Sequence, residues 1–316
     1  MADQASTLKV TGDTASCPEP RLAGFGSVCQ GCPGQALCQQ IGGRDPEQEV
    51  INCRMNAIKH KIIIMSGKGG VGKSSVAAGL SMALAKLNHK VKKKVAICDL
   101  DICGPSIPRL LNIQEQRVIH TPYGWQPLTS PHNSVKVMSV GSLMGNKDSA
   151  VIWRGPRKTA IIRRFLKDTF WGRLDFLLFD TPPGSSDEHL TAIQGLQEVK
   201  LDGAVIVTSP QAVALSTVCR EISFCRKMGL RIIGLVENMS GFVCPCCQET
   251  TDLFSSRGAE RFATERSIPF LGRIPVDVSL SQSCEDGQSI IQEFQHSPAA
   301  IALIQLAECL MKQLEK

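Results

Sequence analysis

The sequence predicts an α/β fold: a doubly wound, mostly parallel sheet with helices on both faces, preceded by a loop-rich, cysteine-bearing N-terminal appendage. Three observations predict it. Short β-branched runs alternate with helix-length segments, the pattern of βαβ units rather than of hairpins. The first run leads directly into a glycine-rich loop and an apolar-periodic helix. The runs also end in polar or cysteine-bearing residues, as expected where a parallel sheet gathers ligands beyond the carboxyl ends of its strands.

Residues 1 to 57 are rich in Gly, Pro, Gln and Cys and lack a sustained apolar period, so they are expected to form the appendage, with one short helix near Glu47 to Lys59. Residues 58 to 316 form the second domain. Its first strand is expected at Lys61 to Met65, the glycine loop at Ser66 to Lys73, a helix at Ser74 to Asn88 and a second strand at Val95 to Leu100. Further apolar runs at Phe176 to Phe179, Gly203 to Thr208 and Ile232 to Asn238 have the composition of strands buried on both faces. A last helix begins at Ser297-Pro298, with Ile301, Ile304, Leu310, Met311 and Leu314 at near-helical spacing. That stripe reads as core packing; the alternative, a membrane-surface helix, lacks Trp and Phe on its face and has few flanking lysines.

A chain of 316 residues with 43% hydrophobic content can bury a large core, which excludes small disulfide-stapled folds. Its 35 basic and 29 acidic side chains leave a net charge of +6 without a concentrated tract, so no direct nucleic-acid binding is expected. The N-terminus has neither a basic n-region nor an apolar h-region, and no apolar run reaches the roughly 20 residues that span a bilayer. A soluble, cytoplasmic protein with no membrane partner is expected. In a reducing compartment its 14 cysteines point towards metal binding rather than disulfides.

The segment Gly67-Lys68-Gly69-Gly70-Val71-Gly72-Lys73-Ser74 sits between strand and helix, the context that a Walker A loop requires. Its glycines let backbone N–H groups turn onto phosphate oxygens at a helix N-terminus, Lys73 neutralises β/γ charge, and Ser74 is placed for Mg2+. With Ser75, these residues are the expected ATP contacts. Lys68 marks a deviant Walker A, and the chain thereby resembles a subclass that sandwiches two nucleotides between two protomers. The resemblance implies that Lys68 reaches the partner's phosphates. Asp99 and Asp101, in CDLDICGPS, match that subclass's first switch loop, with Asp101 the expected residue for the attacking water. Asp180, in LLFDTPPGSSDEH, reads as the Walker B carboxylate followed by a Pro-Gly loop suited to switching. Asn238, at a strand's carboxyl end, completes the expected nucleotide contacts.

Cys244-Pro245-Cys246-Cys247 supplies a C-x-x-C pair with an extra thiol inside it. One pair gives two thiolates where a cubane cluster or a structural zinc takes four, and a two-fold dimer would supply the rest. A redox disulfide and half a zinc ribbon are the alternatives. Cys244 and Cys247, around Pro245, are spaced to turn their sulfurs to one side, whereas the neighbouring Cys246 and Cys247 are expected to diverge. Cys17, Cys29, Cys32 and Cys38 make a full set of four within one chain, and Gly31, Pro33 and Gly34 would let the backbone wrap a 4Fe-4S cluster, with zinc as the rival occupant. The remaining cysteines lack such spacing and read as buried or incidental thiols.

With these residues in hand, the chain resembles the Mrp/Nbp family of P-loop iron-sulfur scaffold ATPases, and within it the long form with an N-terminal four-cysteine extension. SGKGGVGKSS, CDLDICGPSIP, VIWRGPRK, FDTPPGSSDEHL, ENMSGFVCPCC and IPVD occur in order over nearly the whole chain. The resemblance implies a SIMIBI-type ATPase fold, a stable N-terminal 4Fe-4S cluster, and a labile cluster bridging two chains through Cys244 and Cys247. It also implies a homodimer and a heterocomplex with the short-form paralogue, a heterotetramer, that serves apo iron-sulfur proteins and downstream targeting factors. The gap from Cys17 to Cys29 is about two residues shorter than the family pattern. Two other readings remain: a spatial-positioning ATPase of the partition or septum-site kind, and a zinc-stabilised nucleotide-binding adaptor.

Overall fold

A computed structural model of the chain describes residues 29–32, 35, 45–87, 93–132, 134–143, 155–254 and 258–315. It divides into two compact units, Met1–Val50 and Ile51–Lys316. In order, the elements are α1 (Pro46–Asn56), β1 (Ile58–Met65), α2 (Lys73–Lys86), β2 (Val95–Asp99), α3 (Ile107–Leu110), β3 (Ile119–Thr121), β4 (Gly124–Gln126), β5 (Leu128–Thr129), β6 (Lys136–Ser139), α4 (Gly155–Asp168) and β7 (Leu174–Asp180). They continue as α5 (Asp187–Gly195), β8 (Gly203–Thr208), α6 (Ala212–Lys227), β9 (Ile232–Val243), β10 (Thr250–Thr251), α7 (Gly258–Glu265), β11 (Phe270–Val276), α8 (Val278–Asp286), α9 (Ile290–Glu293) and α10 (Pro298–Leu314).

Among the described residues the main sheet runs β10-β9-β8-β1-β7-β2-β6-β5, with β11 paired to β9. Every pairing from β6 across to β11 is parallel, and only the short β5 and β10 run antiparallel. β1 lies at the centre: the chain builds outwards through β2 and β6 on one side, inserts β7 between β1 and β2, then places β8 and β9 on the other. Alternate strand residues serve opposite faces. Ile62, Ile64, Ile97, Leu178 and Val205 pack under α2 and α10, while Ile63, Met65, Ala96, Leu177 and Phe179 pack with Phe165 of α4 and Ile193 of α5. Burial on both faces explains the near-continuous apolar runs of the sequence.

Two helices carry more of the core than local pattern suggests. α1 falls in the segment expected to be appendage, yet Ile51 and Met55 are fully buried among Ile58, Phe165 and Trp171. Its C-terminal end is tied down from inside: the Lys61 ammonium donates to the carbonyls of Met55 at 3.2 Å and Ile58 at 2.8 Å. Burial in turn lowers the Lys61 pKa. On α10, Ala299, Ala300, Leu303, Leu306, Ala307 and Leu310 are buried, and α2 approaches so closely that a Cβ on Gly79 would stand 2.7 Å from Leu303. Of the stripe read from the sequence, Leu310 is buried and Ile304, Met311 and Leu314 are half-buried against the core, while Ile301 is exposed. Among the described residues no helix is long and apolar enough to cross a membrane.

Because Met55 is fully buried in a packed cluster, Met55→Ala is expected to cost about 2–5 kcal/mol. The urea midpoint should fall with an unchanged slope; a loss below about 1 kcal/mol would remove α1 from the core.

Candidate functional site

The carboxyl ends of β1, β2 and β7 are level with one another, since Ile64 pairs with Asp180 and Asp180 with Asp99. The loops that leave them are laced together: Leu100 N–H donates to the Asp180 carbonyl at 2.7 Å, and Gly184 N–H to the Ser66 carbonyl at 2.8 Å. Over this edge lies the glycine loop. Gly72 is the N-cap of α2 at φ 79°, and a Cβ there would run into the Asn238 amide. Asn238 itself donates to the Val71 carbonyl at 2.9 Å, so β9 pins the loop from the side. Gly67 faces α6, where an added Cβ would meet Thr217 Oγ1 at 2.6 Å. The first turn of α2 holds no acidic side chain, leaving the positive end of its dipole uncompensated for an anion.

Beneath the loop lies a compact charged group. Lys73 Nζ is 2.5 Å from Asp180 Oδ1 and 3.1 Å from Ser74 Oγ, and the Ser74 hydroxyl donates to Asp180 Oδ2 at 2.6 Å. Lys73 is 6% exposed and Asp180 fully buried, so this pair is not the solvated kind that contributes little. Asp99, also buried, accepts from the Ser139 hydroxyl at 2.8 Å and from Asp101 N–H at 3.1 Å. Burial pushes the Asp99 carboxyl well above the usual carboxylate range, and the Asp180 charge pushes the same way against Ser139 and Lys73. Burial raises Asp180 as well, opposed chiefly by Lys73. Asp101 is half-buried, its carboxylate turned back to accept from Gly104 N–H at 3.2 Å.

Lys68 is exposed and makes no side-chain hydrogen bond or ion pair to the described residues. Ser75 is half-buried in the first turn of α2, and the Cys284 thiol of α8 is a polar neighbour of its hydroxyl. Ser139 escaped the sequence reading because its strand, Lys136–Ser139, is too short for a periodic signal. Its place at a strand's carboxyl end is the clue that could have found it.

The thiols of the C-x-x-C motif occupy the hairpin between β9 and β10. Phe242 pairs with Thr251 and Val243 with Thr250, and the loop is closed by Cys244 N–H to the Glu249 carbonyl and Gln248 N–H to the Cys244 carbonyl, both 2.9 Å. The backbone N–H groups of Cys247 and Cys246 hold the Cys244 thiol below its ordinary pKa, with smaller help from both side-chain thiols. A thiol whose anionic form is stabilised by amide donors suits a metal or cluster ligand. Both neighbouring thiols thus lie on the Cys244 side of the loop's electrostatics. Cys247 also reaches Glu249 Oε2 at 3.9 Å. In the N-terminal unit, Cys29 and Cys32 share one turn, with Cys32 N–H donating to the Cys29 carbonyl at 3.1 Å and Gly31 at φ 82°. Cys17 and Cys38 lie outside the described residues.

A family model described as ParA, NUBPL iron-transfer P-loop NTPase, matches residues 57–311. A nucleotide-binding protein from Archaeoglobus fulgidus, solved in complex with ADP and with cobalt found in it, is 36% identical with a TM-score of 0.67, over 78% of this chain and 93% of that one. The cell division ATPase MinD of Pyrococcus furiosus is 25% identical with a TM-score of 0.57, over 80% and 98% of the two chains. The MinC:MinD complex of Aquifex aeolicus contributes a match at 22% identity and a TM-score of 0.59, over 80% and 96%, which shows the fold.

Because folding raises the Asp99 pKa, the native state prefers the neutral acid, and this group's contribution to stability is lost as pH rises through the folded pKa. In the nucleotide-free protein, Asp99→Asn is expected to raise the neutral-pH Tm by a few degrees, with the gain vanishing in acid below the unfolded carboxylate pKa. A variant that melts lower than wild type at neutral pH would contradict the assignment.

Proposed function

The chain belongs to the NUBPL iron-transfer P-loop NTPase family, and on that premise we propose that it is an ATP-hydrolysing scaffold that assembles 4Fe-4S clusters and delivers them to cytosolic and nuclear apoproteins. One observation carries the proposal: β9 is shared by both chemistries. Its Asn238 holds the glycine loop through Val71, and its last residue, Val243, leads straight into Cys244. A shift of the loop during turnover has a hydrogen-bonded strand through which to reach the thiols.

In this reading the phosphates of ATP compete with Asp180 for the Lys73 ammonium, while the loop amides and the α2 N-terminus take the remaining charge. Mg2+, when bound, neutralises charge on the β- and γ-phosphate oxygens, and Ser74, Asp180 and Asp99 would hold it with the oxygen donors that a hard cation takes. Asp101 orients the attacking water. Lys68, exposed on the loop, extends to the γ-phosphate bound by a partner protomer.

Cys244 and Cys247 from each chain of a two-fold dimer supply four thiolates to a cluster in transit, with Cys246 as a polar neighbour of Cys244. Cys17, Cys29, Cys32 and Cys38 would hold the resident N-terminal cluster, supplying four thiolates from one chain. Self-association, a heterotetramer with a short-form paralogue, handover to apoproteins through targeting factors and a cytoplasmic location belong to the same proposal.

Lys73→Ala is expected to lower kcat for ATP by at least about 100-fold, because the site loses its main phosphate cation. Wild-type turnover in that variant would sink the ATPase assignment. After anaerobic reconstitution with iron and sulfide, the protein should show the visible absorption of 4Fe-4S clusters. Cys244→Ala and Cys247→Ala should each lose the labile iron and keep the N-terminal cluster, while Cys246→Ala keeps most of both. Tight binding of zinc without any uptake of iron and sulfide would replace the scaffold reading with that of a zinc-stabilised adaptor.

A further inference from the structure

We propose that Lys158 is a positioning residue that ties the loop after β2 to the loop after β7, so that the Asp101 and Asp180 segments move as one. In its use of ATP turnover as a readout, this inference rests on the ATPase reading above.

Lys158 lies in the first turn of α4, within the VIWRGPRK segment that the phosphate site leaves unexplained. A lysine at the positive end of a helix is placed against the dipole, and this turn has no acidic residue to offset it. Its compensation lies outside the helix. Lys158 Nζ donates to Glu188 Oε1 at 2.9 Å, with the two side chains 21% and 4% exposed. Glu188 is in the first turn of α5, right after the loop that leaves Asp180, and it also accepts from the Ser186 hydroxyl. The second polar neighbour of the ammonium is the Cys103 thiol. Cys103 sits inside the turn closed by Gly104 N–H on the Asp101 carboxylate. One cation is therefore bonded to the second loop's helix through Glu188 and has the first loop's Cys103 as its other polar neighbour. A second bond, Thr191 Oγ1 to Thr159 Oγ1 at 3.4 Å, fixes α5 against α4 beside it.

The opposite flank provides an internal control. Ser185, in the loop after β7, donates to the buried Glu221 of α6 at 3.2 Å, a contact that touches only that loop. Glu221→Ala should therefore free one loop, whereas loss of Lys158 should free two.

The test is hydrogen exchange on the full-length, nucleotide-free protein, alongside steady-state ATP hydrolysis and Mg-ADP binding. Lys158→Met leaves Glu188 buried and unpaired, so the double variant Lys158→Met/Glu188→Gln is measured with it to keep the fold intact. Both are expected to exchange several-fold faster over residues 101–106 and 181–187 together, with β1 and β8 unchanged. Lys158→Arg should restore wild-type protection. The double variant should lose on the order of 10-fold in kcat with little change in Mg-ADP affinity, the sign of lost positioning rather than lost binding. Faster exchange confined to one loop, or none in either, would overturn the proposal. If wild type hydrolyses no ATP, the ATPase reading falls, and the exchange pattern still decides whether Lys158 links the loops.

Discussion

Two carboxylates stand side by side on neighbouring strands, Asp99 on β2 and Asp180 on β7, both fully buried and paired in register. Like charges at that spacing and depth cannot both be ionised cheaply, and much of the surrounding structure reduces that cost. Lys73 places its ammonium against Asp180, Ser74 and Ser139 donate hydroxyls, and the Asp101 amide turns inwards. The sheet makes the arrangement possible: parallel strands end level, so residues at their carboxyl ends meet without any loop having to carry them. The glycine loop then drapes over this group, held by Asn238 on one side and lying close against Thr217 on the other.

The same constraint separates what could be read in the sequence from what could not. The Gly67 to Ser74 loop was legible because its chemistry lies in consecutive residues, and β2 and β8 because apolar runs announce them. Local pattern failed where long-range contacts override it. β1 begins at Ile58 rather than Lys61, since a lysine whose ammonium caps α1 looks like a surface residue. β9 runs on to Val243 past the polar Asn238 and Ser240, because β11 and then β10 go on pairing with it beyond the end of β8. β6 and β11 gave too little periodicity to be seen. Ser139 with Asp99 and Asn238 with Val71 are pairings that only the fold creates.

The C-terminal stripe illustrates how packing decides between two readings of one pattern. Ile301 and Ile304 at helical spacing suit a membrane face or a core, but α10 buries Leu303 against Gly79 of α2 and Leu306 beside β11. Ile301 itself stays at the surface, so the face that packs is the one carrying Leu303, Leu306 and Leu310. The cysteine hairpin, by contrast, stands at the far end of a strand that also grips the glycine loop through Asn238.

Carboxyl-carbon NMR of Asp99 and Asp180 through a pH titration, without and with Mg-ADP, measures the buried pair directly. Without nucleotide, the pair should titrate with at least one midpoint above the usual carboxylate range, and that midpoint should fall when Mg-ADP binds and a cation joins the site. Ordinary carboxylate titration of both groups in both states would contradict a nucleotide site built on two buried, competing charges.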